Sequence, residues 1–178
     1  ENPALLPYLD AAAEALLGEP LDLASPPTWW CGDDGSRRHV LAHLPELVVK
    51  PIARGPDSGT VVGWRLSADE LDDLRRRIEA EPHQWVGQEA VAVATAPTVV
   101  DGVLEPRRTI LRTFAVARGD DYAVMPGGLS RVAPDPDGEL ITNQTGAWSK
   151  DTCVLSAGPE RLTGFWLQPQ PEDVSAAL

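Results

Sequence analysis

Over the first eighty residues, apolar positions recur at the spacing of an α-helix. Leu5, Leu6, Leu9, Ala12 and Leu16 predict a helix over Pro3–Leu17, with Pro tolerated in its first turn and Gly18 as its C-cap. Glu19–Thr28 holds Pro20, Pro26 and Pro27 and reads as an extended connector. Val40, Leu41 and Leu44 fall on one face of a second helix over Ser36–Leu44, preceded by Asp33 and Asp34, both good N-cap types. Leu71, Leu74 and Ile78 stripe a third helix, opened by the capping box Ser67-Ala68-Asp69-Glu70. Arg75, Arg76 and Arg77 stand among Glu70, Asp72, Asp73 and Glu79, the composition of a solvated, ion-paired face.

Elsewhere the pattern is that of strands. Leu47–Pro51 is a short apolar strand closing on Lys50, Arg54–Thr60 is a loop with two Gly and one Pro, and Val61–Leu66 returns as a strand. After Gln84, Trp85–Val93, Leu104–Ala117 and Tyr122–Met125 are strand-like, with Asp101-Gly102 and Gly119-Asp120-Asp121 as hairpin signals. Pro126-Gly127-Gly128 is a turn leading into a strand through Val132, Pro134–Gly138 an acidic turn, Asn143–Asp151 a polar loop and Thr152–Leu155 a last short strand. The expected fold is α+β, three N-terminal helices with a mostly antiparallel sheet. Residues 1–157 form the domain and 158–178 a loosely ordered tail.

Charge and composition narrow the function. Against 15 Lys and Arg stand 27 Asp and Glu, a formal net charge of −12 over 178 residues, which argues against a general nucleic-acid binder. A local basic pocket remains compatible with that sum. Pro (17) and Gly (15) make about 18% of the chain, below the roughly 25–30% of low-complexity sequences. The apolar run Ala90–Ala96 is far shorter than the roughly 20 residues of a membrane helix, and no signal-peptide pattern is visible. Two Cys, Cys31 and Cys153, read as reduced, semi-buried thiols of a cytoplasmic protein. The chain starts at Glu1 rather than Met, the expectation for a piece of a longer polypeptide. Trp29-Trp30 reads as packing that anchors the connector to the sheet.

The order of polar signals has a rationale as a nucleotide site. Lys50 at a strand end can neutralise phosphate oxygens as a point charge, and the glycine-containing loop after it can offer backbone N–H donors. Gln88-Glu89 could meet adenine and ribose. Arg112 lies in an otherwise apolar strand, sharing a face with Ile110 and Phe114, where burial demands an anion or a carboxylate partner. Arg131 and Ser149-Lys150-Asp151 follow. No Walker A or Gly-x-Gly-x-x-Gly motif occurs, and His39, His43 and His83 lack metal spacing with the cysteines. Ser and Cys nucleophiles have no local signature.

Several strings together resemble the circularly permuted ATP-grasp proteins, a bacterial family similar to glutathionylspermidine synthase in its nucleotide site. They are Leu5-Leu6-Pro7-Tyr8-Leu9, Pro27-Thr28-Trp29-Trp30-Cys31-Gly32-Asp33, Leu47-Val48-Val49-Lys50-Pro51, Gln88-Glu89, Leu111-Arg112-Thr113-Phe114, Val124-Met125-Pro126-Gly127-Gly128-Leu129-Ser130-Arg131-Val132 and Ser149-Lys150-Asp151-Thr152. The resemblance implies an ATP-grasp fold, with ATP between two α+β subdomains. It implies a reaction that activates a carboxylate as an acyl phosphate for attack by an amine, on small-molecule or peptide substrates. By the same resemblance Lys50 is the phosphate lysine, the loop with Gly55, Ser58 and Gly59 the lid, and Gln88 and Glu89 the adenosine hinge. Arg112, with Arg131 and Lys150, is then a candidate for the transferred phosphoryl group or the acid substrate. The permuted order places the Mg²⁺ ligands upstream of this stretch, so no metal ligand is assigned and the chain alone is expected to be inactive as a ligase. Loop 143–150 is poorer in Gly than the resemblance leads one to expect. The alternatives are a non-catalytic ATP-grasp-like module binding a protein or peptide, and a kinase-like phosphotransferase. Oligomeric state is not legible.

Overall fold

The computed structural model describes residues 2–53, 59–136, 138, 141, 146–155 and 158. The chain divides into two compact units, 1–92 and 93–178.

In the first unit, Pro7 reshapes the N-terminal helix. It has no N–H to donate, and its ring crowds the preceding turn. The helix expected over Pro3–Leu17 is therefore a 3₁₀ turn over Pro3–Tyr8 followed by α1 over Leu9–Leu17. Gly18 caps α1 at φ 75°, its N–H donating to Glu14 O at 3.1 Å. None of the expected stripe Leu5, Leu6, Leu9, Ala12 and Leu16 is buried; the buried residue of α1 is Ala13, which lies outside it. The connector ends in strand β1, Thr28–Trp30. Asp33 caps α2, Asp34–Ala42, by accepting from Ser36 N at 2.8 Å, which holds its carboxyl below the usual range. Leu44 belongs to a separate 3₁₀ turn with Pro45. Strand β2 runs over Leu47–Pro51 as expected. Strand β3 stops at Val61–Val62, because Gly63 enters a 3₁₀ turn pressed so close to the Leu44 carbonyl that a Cβ would collide with it. The capping box of α3, Ala68–Ala80, forms in both directions: Ser67 N and Oγ donate to Glu70 Oε2 at 2.8 Å, and Glu70 N donates to Ser67 Oγ. Arg75 and Arg76 pair with Asp72 and Asp73 on the solvated face, while Arg77 lies 4.9 Å over the Trp85 ring. Strand β4, Trp85–Glu89, ends four residues earlier than expected.

These strands make one antiparallel sheet in the order β1-β4-β2-β3. Alternation sends Trp29, Leu47, Val49, Trp85 and Gly87 to one face. There they meet Cys31, Val40, Leu44, Leu74 and Ile78 in the core. Trp29 packs on His39, ring centroids 4.1 Å apart. Gly87 admits α2 closely: a Cβ there would lie 2.6 Å from Val40 Cγ2. Thr28, Trp30, Val48, Lys50, Val86 and Gln88 take the opposite face. The Pro3–Tyr8 turn packs against β1 and β4.

The second unit is strand-built. Strands β5 (Thr95–Val100) and β6 (Val103–Arg112) form a hairpin closed by Asp101 and Gly102 at φ 50° and 83°, the left-handed pair a two-residue turn requires. Strand β5 was hidden in the sequence by Pro97, which sits opposite Pro106 on an edge strand. The long strand expected over Leu104–Ala117 breaks at Thr113 and Phe114 into β6 and β7, Ala115–Arg118, which pairs with β8, Asp121–Val124, across Gly119. Gly127 and Gly128 are not a turn but the start of β9, Gly127–Val132. Strand β10, Trp148–Cys153, includes Ser149-Lys150-Asp151, which the sequence had assigned to a loop. The larger sheet has the order β10-β9-β6-β5, and β7–β8 is a two-stranded ribbon. Among the described residues the buried apolar side chains of this unit are Val132, Ala133 and Ile141. No helix of the described residues is long and apolar enough to cross a membrane.

Candidate functional site

Lys50 ends a strand whose neighbour supplies its partner. Register places Val48 opposite Gln88 and Lys50 opposite Val86, so Lys50 and Gln88 are diagonal neighbours on one face. The Lys50 ammonium donates to Gln88 Oε1 at 2.6 Å. Gln88 sits opposite Thr28 in β1, and its Nε2 donates to Thr28 Oγ1 at 2.9 Å. The Thr28 hydroxyl donates in turn to Pro26 O at 2.8 Å. Gln88 and Thr28 are 7% and 8% exposed, so this chain of three hydrogen bonds runs almost wholly inside the protein. Lys50 is half-buried, and among the described residues no carboxylate pairs with it. Burial pushes its pKa below the ordinary 10.5.

A cavity of about 540 Å³ opens beside Lys50, lined by Leu5, Leu6 and Leu9 from the N-terminal segment and by Ile52, Ala53 and Thr60 from the flanks of the following loop. Gly55 and Ser58 lie outside the described residues; Gly59 is exposed. Glu89 is exposed at the end of β4, its N–H donating to Pro27 O at 2.9 Å. The lysine thus meets Gln88 directly and shares a sheet with Glu89, whose side chain alternates to the other face.

The cations of the second unit separate. Arg131 stands opposite Ile110, and Arg112 opposite Leu129. Arg108, Arg112 and Arg131 therefore project from one face, flanking Ile110. Lys150 pairs with Ser130, which places it on the other face, where its Nζ donates to Pro97 O at 2.7 Å. Arg112 is exposed at the end of β6, so the expectation that burial forces a counterion on it fails. The buried guanidinium is that of Arg107, 5% exposed, one residue out of phase with Arg108. Its Nη2 donates to Glu105 Oε2 at 2.6 Å, while Nε and Nη1 have no partner among the described residues. Arg131 Nε is likewise buried without a partner among the described residues. Sequence reasoning missed Arg107 and Arg108. The alternation Glu105-Pro106-Arg107-Arg108 carried the signal, but only a known strand register says which arginine points inward.

Cys31 is fully buried, pushed up to about 11 by desolvation, and Cys153 is exposed, so neither is semi-buried. Among the described residues no group of three or more His, Cys, Asp or Glu side chains could hold a metal ion. The described residues therefore do not by themselves fit a Mg²⁺ centre.

A four-stranded antiparallel sheet with helices on one face and, on the other, a half-buried lysine without a carboxylate partner among the described residues makes an α+β unit with a partly desolvated cation. A family model described as circularly permuted ATP-grasp type 2 matches residues 1–133, and the chain belongs to that family. "Putative glutamate--cysteine ligase 2-3" of Frankia alni is 42% identical over 147 residues, covering 83% of this chain and 17% of that protein. "Uncharacterized protein Rv2567" of Mycobacterium tuberculosis is 44% identical over 137 residues, 76% of this chain and 15% of that protein. "Uncharacterized protein Rv2411c" of the same species is 37% identical over 149 residues, 84% of this chain and 27% of that protein. The chain thus spans between 15% and 27% of the length of these relatives.

Proposed function

We propose that this chain is the nucleotide-binding part of an ATP-dependent carboxylate–amine ligase, with the metal ligands supplied by other parts of the polypeptide. The observation that carries this reading is Lys50: half-buried, held by a neutral amide and facing a cavity, with no carboxylate among the described residues to cancel its charge. A fold that desolvates a cation without pairing it incurs a cost that a bound anion offsets. When bound, ATP supplies the phosphoryl group that activates the carboxylate for attack by the amine. Lys50 holds phosphate oxygens, and the backbone around Thr60 and Gly59 lies within the loop that would close over them. On this reading Glu89, exposed at the strand end, accepts from a ribose hydroxyl.

Arg112 and Arg131, joined by Arg108, present guanidiniums from one sheet face to a phosphoryl group or to the acid substrate. Lys150 serves on the other face of that sheet. The substrates are small-molecule or peptide acids and amines, as the name of the Frankia relative suggests for that protein.

Isothermal calorimetry tests the reading. ATP is expected to bind the purified chain, and Lys50→Ala to weaken binding at least tenfold. Heat-silent titrations of the chain and of the full-length protein alike would favour a non-catalytic, protein- or peptide-binding module. Amide formation by the isolated chain would contradict the incompleteness of the site.

A further inference from the structure

We infer that Gln88 is a positioning residue for the Lys50 ammonium and not a reader of the nucleotide base. The inference rests on the reading of Lys50 as a phosphate-binding cation, and it follows from where the Gln88 carboxamide is already committed. Its oxygen accepts from Lys50 at 2.6 Å and its nitrogen donates to Thr28 at 2.9 Å. With 7% of the residue exposed, the amide is enclosed in the sheet.

The direction of each bond is fixed by the next. The Thr28 hydroxyl has one proton, and it goes to Pro26 O, so toward Gln88 the oxygen acts as an acceptor. Only the NH₂ end of the carboxamide can meet it. That leaves the carbonyl end facing Lys50, where a flipped amide would set two donors against an ammonium. The backbone carbonyl of Pro26 therefore orients a lysine in another strand through two side chains. An ammonium has three donors. Gln88 takes one, and the other two find no partner among the described residues.

Neutrality at position 88 matters as much as the hydrogen bond. A carboxylate there would hold the ammonium more tightly but cancel its charge and compete with any incoming phosphate. An amide fixes the position of the cation and leaves its charge available. An apolar side chain of the same size would leave the lysine to rotate about its four-carbon stem.

The sequence supplies a clean probe, because the chain contains two lysines, Lys50 and Lys150. The protein is labelled with ¹³Cε-lysine and the two resonances are followed through a pH titration, with Lys150 as the reference. Gln88→Glu is expected to raise the Lys50 midpoint by a unit or more. Thr28→Val is expected to shift it, and Thr28→Ser to restore it. An unchanged Lys50 midpoint in both Gln88→Glu and Thr28→Val overturns the inference, whether or not nucleotide binds.

Binding is then measured with ATP, GTP and inorganic tripolyphosphate. Gln88→Glu is expected to weaken all three about tenfold or more. Thr28→Val is expected to weaken them about threefold, with the ATP to GTP ratio unchanged. A collapse of that ratio with tripolyphosphate binding intact would make Gln88 a base reader and overturn the positioning role. Absence of ATP and tripolyphosphate binding in the parent protein would overturn the nucleotide reading of Lys50, while the titration still decides whether Gln88 positions it.

Discussion

The two units are both built on antiparallel strands but cover them differently. In the first, α2 and α3 lie on one face of the sheet, and Val40, Leu44, Val49, Ile78 and Val86 are fully buried. In the second, every residue of β7 and β8 is exposed, and so are Leu104, Leu111 and Phe114 of the flanking segments. The difference bears on the candidate groups. Lys50, Gln88 and Thr28 stand on a sheet whose other face is a packed core, so their backbone has little freedom and a 2.6 Å contact can be held. Arg112, by contrast, stands at an exposed strand end, where water screens its charge. Positional precision belongs to the first unit, and the second offers a broader display of cationic groups.

The contrast is broken most directly from the core. Ile78→Ala is expected to cost roughly 2–5 kcal/mol in chemical denaturation, since the vacated space at a fully buried site has no solvent to fill it. Next comes Gly87→Ala, which forces a Cβ to 2.6 Å from Val40 beneath Gln88. Overpacking predicts about 1–3 kcal/mol, with a loss of ATP affinity in calorimetry, because the strand that carries Gln88 must shift. A neutral outcome at either position would mean that the first unit is looser than its packing implies.

Thiol chemistry and pH sharpen the comparison more gently. At pH 8 the native protein is expected to react with Ellman's reagent at one thiol, Cys153, and at two once denatured. Burial raises Cys31 from 9.0 to about 11. Its protonated form is favoured by the fold, so the stability it contributes is complete below pH 9 and is lost as pH rises through about 11. Lys50 has the opposite sign: its folded pKa is depressed, the unfolded chain binds the proton more tightly, and its contribution improves as pH climbs toward 10.5. Cys31→Ala should leave only the second slope in urea unfolding curves between pH 9 and 10.5. The smallest effect is expected from Val116→Ala, 68% exposed, at within about 0.5 kcal/mol.

Much of the first unit was legible because its signals are local. The Ser67–Glu70 box, the Asp33 cap, the Gly18 stop and the β2 strand are each written within a few residues. The second unit was harder to read. Pro97 masked β5, two glycines suggested a turn where β9 begins, and a polar string proved to be β10. Strands are defined by pairing with distant partners, and composition alone predicts that weakly.

By itself the sequence determined the α3 stripe of Leu71, Leu74 and Ile78, the helix caps at Gly18, Asp33 and Ser67, the hairpin turn at Asp101-Gly102, and the family strings around Lys50, Gln88 and Arg131. Tertiary structure alone decided which neighbours those residues meet. Lys50 and Gln88 are 38 residues apart in the chain and 2.6 Å apart in space. Arg107, and not Arg112, is the buried guanidinium, because alternation fixes a side chain's face only after strand pairing has fixed the register.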